Sequence, residues 1–216
     1  MEIILSEGEA RVLGCLIEKE LATPEYYPLS LNALINACNQ KTNRFPVVSL
    51  GEGEVMTALH SLRDKQLVGS SEASRVIKYW HGIDKKFNLI RREAALLCLL
   101  LLRGPQTTGE LRTRSEKLCG FENIEEVVRY LDNLADIGLV MKMPRQPGQK
   151  EQRYANLLVG KPSLSASAAE ATRASIDSIN EAVSNDDRLS ELEKVVATLQ
   201  QDLAQLRLEL FGDINK

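Results

Sequence analysis

The stretch LHSLRDKQLV, residues 59–68, returns seventy-two residues later as LDNLADIGLV, residues 131–140. Both copies share leucines at their first, fourth and ninth positions, and Val55 and Val127 each lie one helical turn ahead. This spacing is too long for a solenoid repeat and suits a small domain. The sequence therefore predicts a duplicated fold with two similar domains in tandem.

The composition of the 216 residues is that of an ordinary globular protein, with 44% hydrophobic, 26% charged and 5% aromatic residues. The longest apolar run, residues 94–102, is half of what a bilayer requires. The first residues, MEIILSE, lack the cationic segment and cleavage site of a signal peptide. We therefore expect a cytoplasmic protein without a membrane partner.

The residues that usually carry enzyme chemistry are few and scattered. Four widely spaced cysteines form no CxxC pair, so we expect reduced core residues and neither a metal site nor a cofactor. The two histidines lie in no recognisable nucleophile or metal motif. Enzyme activity at an unrecognised site is accordingly the weakest functional hypothesis. These residues are Cys15, Cys38, Cys98, Cys119, His60 and His81.

In the first half, helix signals precede a hairpin. Ser6 with Glu9 predicts a capping box, and Thr23-Pro24 ends that helix. Ser30 caps a second helix, and a box formed by Ser49 and Glu52 opens a third, which runs through residue 65. Residues 67–68 begin a strand that returns over 75–80.

The second half begins near residue 88 and repeats this order, although the Ser6 box has no equivalent. Its first helix covers 93–102, Thr108 caps the second, Asn123 caps the third, and Gly138 ends it. Strands over 139–143 and 152–157 flank a turn at 144–150. Three helices followed by a hairpin is the winged-helix order, so we predict a mainly α fold with small β-hairpins (α+β), with winged-helix domains at 1–84 and 85–160.

The remaining residues differ in composition. Residues 161–184 are rich in alanine and serine and predict a linker. Residues 185–212 predict a helix whose apolar positions alternate spacings of three and four, as in a coiled coil. Homodimerisation through this seam and packing within the same chain both remain open. The seam residues are Leu189, Leu192, Val196, Leu199, Leu203, Leu206 and Leu210.

Several longer strings resemble a known family. They are EARVLGCLIEK at 9–19, TPEYYPLS at 23–30, ACNQKTNR at 37–44 and LLLRGPQTTGELR at 100–112. Across residues 5–160 the chain resembles the YceH family of uncharacterised bacterial proteins. The resemblance implies two winged-helix domains in a cytosolic setting, with no assigned reaction.

Charge suggests where a partner would bind. The net charge is −3 over residues 1–84, +4 over 85–160 and −4 over 161–216. DNA would therefore contact the second domain first. In the first domain, the loop cations and amide Lys41, Asn43 and Arg44 are candidate contacts to phosphate or to an acidic protein.

The second domain contributes a candidate basic face, diluted by neighbouring glutamates. Both third helices begin with glutamates. Their carboxylates interact favourably with the positive N-terminal end of the helix dipole, but they repel phosphates and offer few of the usual base contacts. The candidate residues are Arg112, Arg114, Lys142, Arg145, Lys150 and Arg153, together with Arg129 and Asn133 for base contacts from the third helix.

The sequence thus favours a non-enzymatic DNA-binding or regulator-like module that contacts the DNA backbone. The alternative is a protein adaptor, like the tandem winged-helix subunits of chromosome-condensing complexes.

Overall fold

The computed structural model describes residues 3–71, 76–145 and 151–160, all within one compact unit that spans residues 1–162. The predicted linker at 161–184 and the predicted helix at 185–212 lie outside the described residues. Within the described residues the fold is mixed α+β, with helices and small antiparallel sheets.

The first half contains three long or medium helices and one sheet. Its elements are α1 (Glu7–Ala22), a 3-10 turn (Pro24–Tyr26), β1 (Leu29–Ser30), α2 (Leu31–Cys38), α3 (Glu52–Asp64), β2 (Val68–Ser71) and β3 (Lys78–His81).

The second half repeats this order after one short helix that the sequence did not predict. Its elements are α4 (Ile83–Phe87), α5 (Arg91–Arg103), β4 (Gln106–Thr107), α6 (Thr108–Ser115), α7 (Ile124–Asp136), β5 (Val140–Lys142) and β6 (Arg153–Asn156).

Three predicted helix starts are confirmed. At α1 the Glu9 amide donates to Ser6 Oγ at 3.2 Å and the Ser6 amide donates to the Glu9 carboxylate at 2.6 Å. Ser30 and Asn123 cap α2 and α7. These side chains each accept from an amide of the first turn, which has no partner within the helix.

Three other helix starts differ from the sequence prediction. Gly51, not Ser49, precedes α3, and its amide donates to the Glu54 carboxylate at 2.8 Å. Thr107, not Thr108, caps α6. The Ser6 box has a partial counterpart, because the Ile90 amide donates to the Glu93 carboxylate at 3.1 Å. A glutamate in the third helical position can satisfy the preceding amide without a hydroxyl cap.

The two sheets share one topology. Their strand orders are β1-β3-β2 and β4-β6-β5, so the last strand of each half is central and antiparallel to both neighbours. Leu29 pairs with Tyr79 in the first sheet, and Gln106 pairs with Tyr154 in the second. The two-residue strands β1 and β4 were not predicted, since two residues carry no alternation of polarity.

One hydrophobic core joins the halves. Helices α1 and α5 pack against each other, and Gly14 of α1 lies directly against Leu101 and Leu102 of α5. The Phe45 amide also donates to the Leu102 carbonyl at 2.8 Å. Residue 84 therefore marks the point where the order of elements begins to repeat. It does not separate two cores, because one hydrophobic cluster contains buried residues from both halves.

Ten of the thirteen residues of helix α5 are buried, and six of the ten are leucines that lie on every side of the helix. Among the described residues, no helix combines the length and the hydrophobicity needed to cross a bilayer. The apolar stretch at residues 94–102 is buried by protein instead.

Candidate functional site

The predicted binding segment, residues 40–44 of the loop that follows α2, is held in place by Arg44. The Arg44 side chain has no exposed surface, and its guanidinium donates to both oxygens of Glu18, at 2.9 and 2.5 Å. It also donates to the Ala37 carbonyl at 3.1 and 3.2 Å and to Gln40 at 3.0 Å. Arg44 therefore serves the fold, and contact with a partner would require this cluster to open.

A second buried guanidinium holds the other side of the same loop. Arg11 is 5% exposed and donates to the carbonyls of Cys38, at 3.3 Å, and Pro46, at 2.5 Å. The loop contains few backbone hydrogen bonds of its own, so these two arginines supply donors to the carbonyls of Ala37, Cys38 and Pro46. Sequence reasoning missed Arg11, because a single arginine in an apolar helical stretch carries no local signal.

The other two candidates in the loop lie at the surface. Lys41 is exposed. Asn43 is exposed in the left-handed backbone region, with φ at 60°, and its side-chain oxygen accepts a hydrogen bond from Arg103 of the second half. Only Lys41 of the three loop candidates thus combines a positive charge with exposure.

Two of the second-half cations are used internally. Arg153 on β6 donates to the Pro105 carbonyl at 2.8 Å and to the Glu110 carboxylate at 3.0 Å. Arg114 on α6 donates to Gln106 at 2.8 Å and lies 3.8 Å from Glu110. These contacts tie α6 to the start of β4, and they neutralise charge that the sequence assigned to a binding face.

The remaining second-half cations are at the surface. Lys142 is exposed with its Nζ 5.8 Å from the centre of the Tyr154 ring, and Arg145 is exposed. Arg112 is exposed and donates to the Glu122 carbonyl at 3.1 Å. Lys150 lies outside the described residues. The described part of the predicted basic face therefore retains three exposed cations.

The exposed side of α3 is acidic. Its solvent-facing charged residues are Glu52, Glu54, Arg63 and Asp64, which give a net charge of −2. The helix buries Val55, Leu59 and Leu62 on the opposite side. A negative surface of this kind repels the phosphates that flank a DNA groove.

The exposed side of α7 has the same net charge. It presents Glu125, Arg129, Asp132 and Asp136. Asn133, the second predicted base-reading residue, is exposed and donates to the Glu93 carboxylate at 3.1 Å. Of the two predicted base-contact residues, Arg129 is the charged one, and its side chain is 65% exposed.

Arg129 is part of a group of arginine and aromatic side chains. We call this group the aromatic and arginine patch and define it as Arg92, Phe121, Arg129 and Tyr130. The rings of Phe121 and Tyr130 are 6.1 Å apart and tilted by 60°. The Arg129 guanidinium lies 4.9 Å from the Tyr130 ring centre, and that of Arg92 lies 6.0 Å from both rings. Arginine and aromatic side chains are enriched at the centres of protein interfaces.

Like the role of Arg11, the burial of His81 was not apparent from the sequence. The His81 side chain is 3% exposed, and neither ring nitrogen makes a well-directed hydrogen bond. The Glu20 carboxylate lies beside Nε2, and the Asp84 carboxylate lies 3.7 Å from Nδ1. Because the acids approach opposite nitrogens, the three groups do not converge on one ion. The described residues contain no cluster of three such side chains suited to a metal.

The seven seam residues between 189 and 210 lie outside the described residues, so homodimerisation stays a prediction.

The comparisons with known proteins place the chain in a bacterial family. It is 50% identical to a UPF0502 protein of Solibacter usitatus over 208 residues, which are 96% of this chain and 98% of the relative. It is 49% identical to the UPF0502 protein GSU0233 of Geobacter sulfurreducens over 202 residues, 92% of this chain and 91% of the relative. A UPF0502 protein of Psychromonas ingrahamii is 43% identical over 213 residues, covering 96% of this chain and 97% of the relative.

The family profile described as "Protein of unknown function, DUF480" matches residues 5–149, which include every helix from α1 to α7. On this match and on relatives of nearly equal length, the chain belongs to the DUF480/UPF0502 family of uncharacterised bacterial proteins.

Proposed function

We propose that the two halves are winged-helix modules and that the protein is a cytoplasmic, non-enzymatic adaptor that binds another protein through α3 and α7. The repeated element order and the central position of the last strand in each sheet support the winged-helix assignment. In that fold the third helix of each module reads DNA. Here α3 and α7 are those helices.

The observation that carries the proposal is the negative charge on the exposed side of both helices. A DNA-reading helix needs cations and amides toward the groove. Glu52, Glu54, Glu125 and Asp132 face solvent there instead. A partner with a basic surface would be attracted to the same positions, because complementary charge guides protein association.

The patch beside α7 supplies the apolar contact area that such an interface needs. Tyr130 is half-buried and Arg129 is exposed, so both have surface available to a partner. Stacked arginine and tyrosine side chains lose little conformational freedom on binding, which favours their use as anchors.

Backbone contact with DNA is the second candidate, and the exposed cations Lys142 and Arg145 favour it. They lie at the end of β5, where a winged-helix hairpin would contact phosphates. This mode predicts steep salt dependence and little sequence preference.

One experiment separates the two candidates. A photo-crosslinking amino acid replaces Asp132 on α7 in living cells, and a matched variant carries it at Glu25, another exposed acidic residue, in the 3-10 turn. We expect a discrete crosslinked polypeptide from position 132 and none from position 25. Equal crosslinking from both positions would contradict the adaptor proposal.

The second arm measures binding of random duplex DNA by fluorescence anisotropy at rising salt. The adaptor proposal predicts weak binding that changes little when Lys142 and Arg145 are both replaced by glutamate. Tight binding that this double substitution abolishes would favour DNA and overturn the adaptor.

A further inference from the structure

One site occurs in both halves, where the start of the first helix meets the end of the third. In the first half, Glu9 of α1 pairs with Lys65, which follows the last residue of α3. The Lys65 ammonium donates to Glu9 Oε1 at 2.5 Å. Glu9 is only 5% exposed, so a cation of the same chain compensates a buried negative charge.

The second half has the same backbone at this site. Glu93, like Glu9, is the third residue of its helix and accepts from the amide of the residue that precedes the helix. Ile137 follows α7 as Lys65 follows α3, and the amide of each donates to the carbonyl four residues earlier, at 3.3 and 3.0 Å. Their φ and ψ angles are −89° and 4° for Ile137 and −77° and 0° for Lys65. Ile137 therefore takes the position of Lys65 in the repeat.

This end of α7 lies against Glu93. Asn133, one turn before Ile137 on the same side of the helix, donates to Glu93 Oε1 at 3.1 Å. The amide of Asn133 is neutral, so it supplies a hydrogen bond without compensating the charge. At 8% exposure, the Glu93 carboxylate has little contact with water.

In the part of the chain that the structure describes, no cation forms an ion pair with Glu93. The two arginines that precede it have other partners: Arg91 donates to the Leu21 carbonyl at 2.9 Å, and Arg92 pairs with Glu126. A buried charge without an opposite charge is destabilising, and each carboxylate oxygen can accept more than one hydrogen bond. Glu93 can therefore still accept a donor from an ammonium group.

The surface beside Glu93 is apolar. Ile90 and Ile137 are 50% and 49% exposed, whereas the first half has the polar residues Ser6 and Lys65 at the equivalent positions. A lysine side chain packs its methylene groups on apolar surface while its ammonium reaches a polar partner. Two exposed isoleucines next to a carboxylate match both parts of such a side chain.

We propose that these residues form a lysine site, which binds a lysine side chain of the basic protein partner. The lysine site consists of Ile90, Glu93, Asn133 and Ile137. The partner's ammonium donates to Glu93 as that of Lys65 donates to Glu9, and its methylene groups contact the two isoleucines. This inference rests on the adaptor function proposed above and names the side chain that the partner contributes. The acidic side of α7 borders the site and attracts the same basic surface.

The first test fills the site from within the chain. Ile137→Lys gives the second half the residue type that the first half has at this position, and the introduced ammonium should pair with Glu93. Thermal unfolding is measured for Ile137→Lys, Glu93→Gln and the double variant. We expect Ile137→Lys to give a melting temperature shift about 2–4 °C more favourable when Glu93 is present than when it is glutamine. Equal shifts in both backgrounds would overturn the lysine site without any bearing on the adaptor proposal.

The second test measures competition with the partner in living cells. With the photo-crosslinking residue at position 132, Ile137→Lys should reduce the yield of crosslinked polypeptide by at least about tenfold, because the introduced side chain occupies the site. Ile137→Leu, the apolar control, should leave the yield unchanged. Full crosslinking in Ile137→Lys would overturn the lysine site and leave the adaptor proposal standing, whereas no crosslink from position 132 in the parent chain would overturn both.

The third test identifies the lysine on the partner. The polypeptide captured at position 132 is sequenced, and its lysines are replaced by glutamine one at a time. One replacement should reduce crosslinking as much as Ile137→Lys does, and the two changes together should have no additive effect, because they remove the same contact. A partner in which no single lysine behaves in this way would overturn the proposal.

Discussion

At the scale of single residues, the first half depends on charges buried within the core. Arg44 has no exposed side-chain surface, and Glu18 has 13%. Such a pair is stabilising only while both members are present, because either one alone is a buried charge without compensation. The guanidinium fits the carboxylate with two parallel hydrogen bonds, a geometry that lysine cannot reproduce.

Replacing Glu18 with alanine should therefore cost about 3–5 kcal/mol of unfolding free energy, the range for breaking a buried pair. Urea denaturation measures the loss. Lys41→Gln, an exposed change in the same loop, should stay within about 0.5 kcal/mol of the wild type. A Glu18→Ala variant as stable as Lys41→Gln would show that the cluster does not hold the loop.

Glu9 gives the protein a specific acid sensitivity. Burial raises the pKa of this carboxyl, but hydrogen bonds from Lys65, Ser61 and the Ser6 amide outweigh burial and lower it below the ordinary value of 4.5. Because the pKa of Glu9 is lower in the folded state, its ionised carboxylate stabilises the fold. This stabilisation is fully present above the unfolded-state pKa and is lost as the pH falls through the folded-state pKa.

Comparison of Glu9→Gln with the wild type from pH 7 to pH 2 tests this linkage. The glutamine keeps one of the two acceptor oxygens and removes the titration. The stability difference should be greatest above pH 4.5 and should shrink below it as Glu9 becomes protonated. A difference that stays constant with pH would contradict the assignment.

At the scale of elements, the decisive contact is the crossing of α1 and α5. A Cβ added at Gly14 would lie 2.8 Å from Leu102 Cδ2 and 3.3 Å from Leu101 Cβ. Leu102 is 1% exposed, so it has little room to move. The glycine is required for close approach of two helices, a tertiary need that outweighs its poor helix propensity.

Gly14→Ala should destabilise the fold by about 1–3 kcal/mol, as overpacking of a close-packed core does. The matched change is Gly53→Ala in α3, where an added Cβ meets nothing within 4 Å. That variant should gain about 0.4–1 kcal/mol because alanine restricts the unfolded chain. Thermal unfolding of both variants measures the two opposite shifts, and shifts of the same sign would refute the crossing argument.

At the scale of the whole described unit, the two halves share a core and are joined by further hydrogen bonds. Arg91 donates to the carbonyls of Leu21 and Leu118, and the Leu5 amide donates to the Leu158 carbonyl at 2.6 Å. Removal of the first half would expose the leucines of α5, and removal of the second half would expose those of α1. The described unit should therefore unfold as one body.

Coincident transitions test this cooperativity. Trp80, the single tryptophan, reports on the first half by fluorescence. Hydrogen exchange of α7 amides reports on the second. We expect one denaturant midpoint from both probes, and a fragment of residues 1–84 should remain unfolded alone. A first half that melts separately, or a folded 1–84 fragment, would show that the halves are independent domains.

Local sequence signals predicted most element boundaries, because caps act over three or four residues. Ser6, Ser30 and Asn123 are caps as predicted, whereas the α3 and α6 starts were wrong by one or two residues. Two-residue strands lack a detectable pattern. The candidate binding residues were harder to predict, because composition shows that Arg44, Arg114 and Arg153 are cationic but not that each has an internal partner.

By itself the sequence determined the repeated order of helices and strands, since apolar periodicity and caps depend on neighbours along the chain. Which cations remain exposed, and where α1 meets α5, became clear only from the folded protein. These depend on contacts between residues distant in sequence, such as Arg44 with Glu18 and Gly14 with Leu102, and no local pattern encodes which distant groups will meet.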